Sequence, residues 1–392
     1  MPVINRIAAF ADDLTEWRRD LHAHPEIGLQ EFRTSAVVAE KLRSWGIEVT
    51  TGIAGTGLVG TLRRGSSTRA IGIRADMDAL PMDEANTFAH RSQNPGRMHA
   101  CGHDGHTTML LGAARYLAET GNFDGTVHFI FQPAEENEGG GRIMVEEGLF
   151  QRFPCEMVFG AHNDTSLPKG TMAVVEGSVS AASDRLNITI TGRGGHAARP
   201  HRTIDPVVVG SHIVLALQSI VARRTDPLDS GVISITQFHA GSAHNVIPDS
   251  ATLAGTVRTL LPRVQDEVER LIPQMVHATA AAHGAEAVIS YRRGYPPVVN
   301  ASDPTERAAC AATRLLGADQ VIRKRPPGMG GEDFSFMAQA VPGCFVRIGQ
   351  AEGERFSTQV HHPAYDFNDA ILPIGASFWA SLVEQELARD AT

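Results

Sequence analysis

The sequence has no long uncharged apolar segment and no basic tract, and each absence excludes a class of protein. Nowhere do about 18 apolar residues run together without a charge, so no membrane-spanning helix is expected. No long Lys or Arg run interrupts a composition of 35 basic and 44 acidic residues, which makes nucleic acid or an anionic membrane an unexpected partner. Charges also fall within what would be the apolar stretch of a signal peptide. We therefore expect a cytoplasmic protein that acts on a small molecule.

Cysteine is also scarce. The four cysteines, at positions 101, 155, 310 and 344, are widely separated and form no CxxC pair. This excludes a disulfide-dense scaffold and predicts reduced thiols. With 392 residues, 42% of them hydrophobic, the chain is longer than one core usually organises, so we expect two domains.

The order of predicted strands and helices indicates where the two domains lie. Strands and helices alternate at the start and again in the last hundred residues or so, which predicts a layered α/β domain. Between them, from Ser183, the order is β-α-β-β-α-β, the split βαβ pattern of a small independent sandwich. We predict a larger domain with a mixed sheet and helices on both faces, residues 1–182 and 293–392. It is interrupted by a ferredoxin-like α+β insertion, residues 183–292, here called the lid.

The segment MHACGHDGH, residues 98–106, is the densest group of potential metal ligands. A thiolate and an imidazole two residues apart, Cys101 and His103, can point to the same side of an extended segment, and both bind borderline metals. A helix N-terminus capped by Asp104, with incidental histidines, is the alternative. Because His106 adds a fourth such residue within six positions, a metal site is favoured.

Acidic and imidazole groups recur at predicted strand ends. Glu135 and Glu136 follow a strand that stops at Gln-Pro, and adjacent side chains there point in different directions. One can therefore bind metal while the other accepts a proton from water, although an isolated pair can also be a solvated acidic turn. His162, and His361 with His362, each follow an apolar stretch and precede a turn. We expect these histidines at strand ends, where α/β enzymes gather ligands.

Longer motifs carry a family resemblance. In chain order they are RRDLHAHPEIG, IRADMDALPMDE, MHACGHDGHTTMLLGAA, GTVHFIFQPAEE, GRGGHAARPH, HNVIPD, GTVRTL, GGEDFS and HHPAYDFND. Together they resemble the aminoacylase/carboxypeptidase metalloenzyme family, in particular its branch of hippurate hydrolases and indoleacetyl-amino acid hydrolases. The resemblance covers about Leu14 to Leu382.

The resemblance implies a site for two divalent metal ions, drawn from zinc, manganese, cobalt or nickel, with Glu135 as the general base. The last ligand stands two residues before the proline of HxPxYDFND, which selects His361 over His362. Asp76 and Asp78 fall near a ligand and its orienting carboxylate in related branches, so we expect them beside the ligands. The implied ligands are Cys101, His103, Glu136, His162 and His361.

The resemblance further implies how the lid takes part in the reaction. The implied reaction is hydrolysis of the amide bond of an N-acyl amino acid or small peptide. The lid would form a homodimer or larger homo-oligomer and lend His196 to its own or the partner's active site, to stabilise the oxyanion. Asn245 and Arg258, expected on consecutive lid strands, resemble the positions that hold the substrate carboxylate, a role that suits an amide and a guanidinium.

Two alternatives of other kinds are open to the same residues. Cys101 could be a nucleophile with His103 or His106 as its base, but this leaves the acidic pair and the later histidines without a role. A non-catalytic metal or amino-acid binding protein on the same fold would need Glu136 as a ligand. It would have no use for the second carboxylate, Glu135.

Overall fold

The computed structural model describes residues 3–136 and 138–389. The α-helices found there are α1 (Asn5–Ala8), α2 (Ala11–Ala23), α3 (Phe32–Ser44), α4 (His103–Thr120), α5 (Gly140–Glu146), α6 (Leu149–Arg152), α7 (Pro206–Arg224), α8 (Pro262–Ala282), α9 (Ser302–Leu316), α10 (Phe334–Ala340) and α11 (Leu372–Glu386). The β-strands are β1 (Glu48–Ile53), β2 (Gly57–Arg64), β3 (Ala70–Asp76), β4 (Gly125–Gln132), β5 (Met157–Pro168), β6 (Met172–Ala173), β7 (Gly177–Ser180), β8 (Ser183–Thr191), β9 (Gly195–His196), β10 (Gly231–Ala240), β11 (Val246–Ile247), β12 (Ser250–Thr259), β13 (Glu286–Tyr295), β14 (Val298–Asn300), β15 (Val321–Ile322) and β16 (Gly343–Ala351).

The described chain divides into two compact units. The first contains the described residues up to Gly177, Val299–Pro326, and those from Asp333 onward. The second contains Ser178–Val298 and Pro327–Glu332. The predicted lid, 183–292, lies within the second unit, which also includes a short segment after Pro326 that the sequence assigns to the larger domain.

The first unit is built on a mixed eight-stranded sheet, in the order β1-β2-β4-β3-β5-β16-β6-β15. Its centre is parallel, because β3 pairs in parallel with β4 and β5, and β5 with β16. Every residue of β3 and β4 is buried, which explains why both read as continuous apolar runs. The predicted mixed α/β architecture is confirmed.

The second unit has the predicted β-α-β-β-α-β order. Its antiparallel sheet runs β10-β12-β8-β13, and helices α7 and α8 pack on it around one apolar core. Helix α7 is long and apolar enough by length and composition to cross a membrane. Its buried residues recur on one face, and this face packs against the sheet.

The topology of the first unit places the chemistry-bearing segments at one edge of its sheet. Strands β3 and β4 are parallel and end together, with Asp76 paired to Gln132. The segments that follow them carry Asp78 and the Glu135–Glu136 pair, so these carboxylates emerge at the same edge. Helix α4 begins at His103, directly after Gly102 with φ of 101°.

Candidate metal centre

The five implied ligands all lie in the first unit, and the fold brings their ligand atoms together. Cys101 Sγ is 3.2 Å from His162 Nε2, and Glu136 Oε1 is 3.2 Å from His361 Nε2. Two groups consist only of these ligands and have all their ligand atoms within 4.8 Å of one another, namely Cys101 with His103 and His162, and Cys101 with Glu136 and His361. Because Cys101 belongs to both groups, they adjoin each other.

Two atoms in this cluster test whether the residues fit a cation. His103 Nε2 and Glu136 Oε1 are buried, accept or donate no hydrogen bond within the described residues, and lie 3.9 Å apart. Buried polar atoms in proteins are nearly always paired. Ligands of one zinc ion, bound at about 2.0–2.3 Å, lie roughly 3.3–3.8 Å from one another. The residues present therefore fit a divalent cation.

Asp78 and Asp76 lie directly beside the ligands. Asp78 Oδ1 accepts a hydrogen bond from His103 Nδ1 at 3.0 Å, and its Oδ2 accepts one from the backbone N–H of Glu136 at 3.0 Å. One carboxylate thus fixes two ligand residues, and it leaves His103 Nε2 as the ring nitrogen facing the cluster. Asp76 Oδ1 accepts a hydrogen bond from His106 Nδ1 at 2.6 Å, and these two residues together with His103 form a further group whose ligand atoms lie within 4.8 Å of one another.

Burial and neighbouring charges shift the pKa values of three members of the cluster, Cys101, His162 and His103. Burial raises the pKa of the Cys101 thiol well above its usual value, and the charge of Glu136 adds to the effect. Burial lowers the pKa of His162 well below its usual value, so this ring is neutral. For His103 burial acts downward too, but the Asp76 charge and the Asp78 hydrogen bond outweigh it and raise the pKa. A raised thiol pKa disfavours the thiolate that both a cysteine nucleophile and a cysteine metal ligand require, so the shift does not separate these two roles.

Glu135 lies beside the ligands with its side chain largely buried. A carboxylate oxygen of Glu135, one of Glu136 and a ring nitrogen of His103 lie within 4.8 Å of one another. The backbone N–H of Asp333 lies 3.4 Å from Glu135 Oε1. Glu135 is therefore close enough to the ligands to exchange a proton with water bound among them.

The strand-end prediction is wrong for two of the histidines. His162 lies inside β5, because β5 continues to Pro168 along β16 after its ladder with β3 has ended at Gly160. His361 lies in a loop well beyond the end of β16 at Ala351, in the left-handed conformation with φ of 65°. A β-branched or apolar pattern predicts that a strand is present. It does not predict where the strand ends, because the end depends on how far the neighbouring strand pairs with it.

The loop that carries His361 is tied to the other ligands. Its backbone N–H donates to the carbonyl of Ala100, the residue before Cys101, at 2.7 Å. The neighbouring His362 is exposed, and its Nδ1 accepts a hydrogen bond from the Ala364 N–H at 3.0 Å. His361, and not His362, is the residue that belongs to a candidate ligand group.

The remaining predicted site residues lie in the second unit. His196 on β9 pairs with Val246 on β11, and the N–H of Ala197 donates to the Asn245 carbonyl at 3.0 Å. Asn245 therefore lies close to His196, in the turn that leads into β11 and not on a strand as predicted. Arg258 lies on β12 and lines a cavity of about 390 Å³ together with Arg185.

Sequence reasoning missed the buried network behind Asp76. The Arg74 guanidinium is fully buried and donates to Gln132 Oε1 at 2.8 Å, Asp76 Oδ2 at 2.8 Å and Asp333 Oδ1 at 3.0 Å. An arginine inside the apolar strand AIGIRAD was the available signal, because a buried charge needs partners. Its partners are far apart in sequence and only the fold identifies them.

Asp104 has a structural role that the sequence left open. It belongs to none of the candidate ligand groups among the described residues, and its Oδ2 accepts a hydrogen bond from His22 Nδ1 at 2.8 Å. The other ring nitrogen of His22 lies 3.2 Å from Glu84 Oε1. The first turn of α4, which carries His103, is thereby attached to α2.

Comparison with known proteins identifies the family. Residues 72–385 match Peptidase family M20/M25/M40, and the chain belongs to this family. It is 40% identical over 386 residues to the IAA-amino acid hydrolase ILR1-like 2 of Arabidopsis thaliana, covering 97% of this chain and 87% of that one. It is 39% identical over 385 residues to the hippurate hydrolase of Campylobacter jejuni, covering 97% and 98%.

A solved structure supports the same assignment. The YXEP protein of Bacillus subtilis, described as a dinuclear metal binding peptidase from the M20 family, matches with a TM-score of 0.84 and 35% identity. The match covers 97% of this chain and 99% of that chain. The family resemblance and the hydrolase class expected from the sequence are confirmed.

Proposed function

We propose that this chain is an amidohydrolase that binds two divalent metal ions per subunit and cleaves N-acyl amino acids or small peptides. The observation that carries the proposal is the convergence of Cys101, His103, Glu136, His162 and His361 beside a further carboxylate, Glu135. Relatives named as hydrolases of hippurate and of IAA-amino acids support an N-acyl amino acid as the substrate class.

The donor set suits zinc, manganese, cobalt or nickel, which when bound would polarise the scissile carbonyl and acidify a water molecule. The chain's own residues supply the proton transfers. Glu135 takes a proton from the attacking water and delivers it to the leaving amine, acting first as base and then as acid. His196 donates a hydrogen bond where negative charge develops on the carbonyl oxygen. A binding protein would not need Glu135 beside the ligand Glu136.

Asn245 and Arg258 are proposed to hold the substrate's α-carboxylate. Arg258 donates to neutral acceptors, the Thr256 hydroxyl and the Val257 carbonyl, and forms no ion pair within residues 3–136 and 138–389. Its guanidinium therefore has hydrogen-bonding capacity for an external anion. This favours a substrate role over that of a surface arginine paired with an acid.

The lid is proposed to form the homodimer or higher homo-oligomer contact, in a cytoplasmic protein. Helix α7 leaves Val208 and Leu215 exposed, and the edge strand β10 exposes Val232 and Phe238. Exposed apolar side chains grouped on one unit are commonly covered by a partner. A partner subunit seated there would lie on the unit that carries His196.

The test is a comparison of metal-free and reconstituted protein. Chelated protein is loaded with zinc, manganese, cobalt or nickel, and amine release is followed with N-benzoyl, N-acetyl and N-indoleacetyl amino acids and with dipeptides. We expect activity to return with the metal and to differ among the acyl groups. Metal-loaded protein inactive on the whole panel would contradict the proposal, and activity that survives chelation would favour the cysteine mechanism.

A further inference from the structure

We propose that Glu31 is a positioning residue for the Glu135–Glu136 pair. Through the backbone N–H of Ala134, it holds the left-handed bend from which the pair leaves β4. The proposal depends on the proposed function only for the consequence in catalysis, because the bend and its contacts are features of the fold itself.

The backbone at Ala134 adopts an unusual conformation. Its φ is 54°, in the left-handed region that residues with a Cβ rarely occupy. Among the described residues the non-glycine positions with positive φ are Leu29, Ala54, Ala134 and His361. Such conformations persist where the surroundings hold them, and they cluster at functional sites. Ala134 directly precedes the acidic pair.

Glu31 is the group that holds this bend. Its Oε1 accepts a hydrogen bond from the Ala134 N–H at 2.8 Å, and its Oε2 accepts one from the Thr56 hydroxyl at 2.5 Å. Glu31 is fully buried, and it forms no ion pair with a basic residue within the described chain. Burial raises its pKa to about 7. Burying a carboxyl group without a cation is costly, and here the cost is offset by the hydrogen bonds from the Ala134 N–H and the Thr56 hydroxyl.

The surrounding backbone leaves the bend little freedom. The Ala134 carbonyl accepts from the Gly140 N–H at 2.9 Å, and a Cβ at Gly140 would lie 1.8 Å from the Pro133 carbonyl oxygen. A Cβ at Gly28, in the same segment as Glu31, would lie 3.1 Å from the Ala134 Cβ. The segment before α3 is thus packed directly on the residue that precedes the catalytic carboxylate.

The bend sets the directions in which the two carboxylates leave the strand. In the two residues that follow the bend, the Glu136 N–H donates a hydrogen bond to Asp78 Oδ2 at 3.0 Å, and Glu135 Oε1 lies 3.4 Å from the Asp333 N–H. A change of Ala134 to right-handed or extended backbone would rotate both following residues, and these contacts could not both be kept. Glu31 therefore acts on the pair through its hydrogen bond to the Ala134 N–H.

The chain offers a matched control in the turn between β1 and β2. Ala54 is also left-handed, with φ of 50°, and its N–H donates to Glu147 Oε2 at 2.7 Å. Glu147→Ala removes the same kind of bond from the same kind of alanine, but neither Ala54 nor Glu147 precedes a predicted ligand.

The experiment compares wild type with Glu31→Ala, Glu31→Gln, Glu147→Ala and the double variant Glu31→Ala/Ala134→Gly. Hydrogen exchange of the peptide that contains Ala134, metal content, kcat and KM are measured. Glu31→Ala should speed exchange at Ala134 and lower kcat about 100-fold, the cost of a misplacement of about 1 Å, with little change in KM. Glu31→Gln keeps an acceptor oxygen and should stay within a few-fold of wild type, about the effect of a weakened hydrogen bond. Glycine adopts the left-handed region freely, so the double variant should recover much of kcat.

Several outcomes would overturn the proposal. One is a Glu31→Ala protein with wild-type exchange at Ala134, metal content and kcat. Another is an equal loss of kcat in Glu147→Ala while exchange at Ala134 stays at the wild-type rate, which would indicate general destabilisation. The exchange measurement is needed in this control because Thr56, which donates to Glu31, lies two residues after Ala54. If Glu31→Ala does not fold, Thr56→Val removes one bond from the carboxylate, and unchanged exchange at Ala134 in that variant would contradict the proposal. If wild type proves inactive, the proposed function fails, but exchange and metal content still decide the role of Glu31.

Discussion

Raising the pH should weaken the attachment of α4 to α2 through His22. This imidazole is fully buried, with one ring nitrogen 2.8 Å from Asp104 and the other 3.2 Å from Glu84. Burial acts to lower its pKa and the nearby Arg18 charge does the same. The hydrogen bonds to the two carboxylates outweigh both and raise the pKa to about 9. His22 is therefore an imidazolium in the folded protein at neutral pH.

The size and sign of the effect follow from this shift. The pKa rises from 6.5 to about 9 on folding, and at about 1.4 kcal/mol per unit this corresponds to about 3 kcal/mol. Because the folded-state pKa is the higher one, the stabilisation is fully present below pH 6.5. It is lost progressively as the pH rises through about 9.

The assay is urea unfolding followed by tryptophan fluorescence at both ends of this pH window. All three tryptophans, Trp17, Trp45 and Trp379, lie in the first unit, so the signal reports on the unit that contains His22. His22→Gln, which keeps hydrogen-bonding groups but cannot titrate, is the control. Wild type should lose about 3 kcal/mol more than this variant across the window. Equal pH dependence in the two proteins would refute the reasoning.

Three further predictions concern the site. Cys101→Ser should lower metal content, because Cys101 is common to both ligand groups. Full metal occupancy in Cys101→Ser, together with an acyl-enzyme trapped on Cys101 of the wild type, would instead support a thiol mechanism. Mixing inactive Glu135→Gln and His196→Ala chains should regenerate activity if His196 acts across a dimer, and persistent inactivity in demonstrated mixed dimers would contradict this. Arg258→Ala should lower kcat/KM for an N-acyl amino acid by about tenfold or more, about 1.4 kcal/mol, yet barely change it for the amino-acid amide. An equal loss of kcat/KM on both substrates would mean that Arg258 does not bind the substrate carboxylate.

The parts of the fold predictable from sequence are those encoded by local pattern. The apolar runs of β3 and β4 and the order of elements from Ser183 indicate the two architectures, because periodicity follows from which face is buried. The ligand segment around Cys101 and His103 is local too, and a thiolate beside imidazoles restricts the chemistry. The position of His162 inside β5 was not predictable, since strand length depends on a partner strand far along the chain.

The contacts that hold the site residues in place could be identified only from the three-dimensional structure. Nothing local in the sequence around Glu31 indicates that its carboxylate meets the Ala134 N–H, because the two residues are about a hundred positions apart. The same is true of Arg74 and Asp333, which are separated by most of the chain. The left-handed backbone at His361 could not be predicted either, because the residue is neither glycine nor asparagine, the types that commonly adopt this conformation.

The central claim is that Glu135 transfers protons beside a metal centre to which it contributes no ligand. The most direct test loads wild type, Glu135→Gln and Glu136→Gln with metal and measures metal content and kcat on the best N-acyl amino acid. We expect Glu135→Gln to keep its metal and lose roughly two to four orders of magnitude in kcat, while Glu136→Gln loses metal. A fully metallated Glu135→Gln protein with normal turnover would contradict the account.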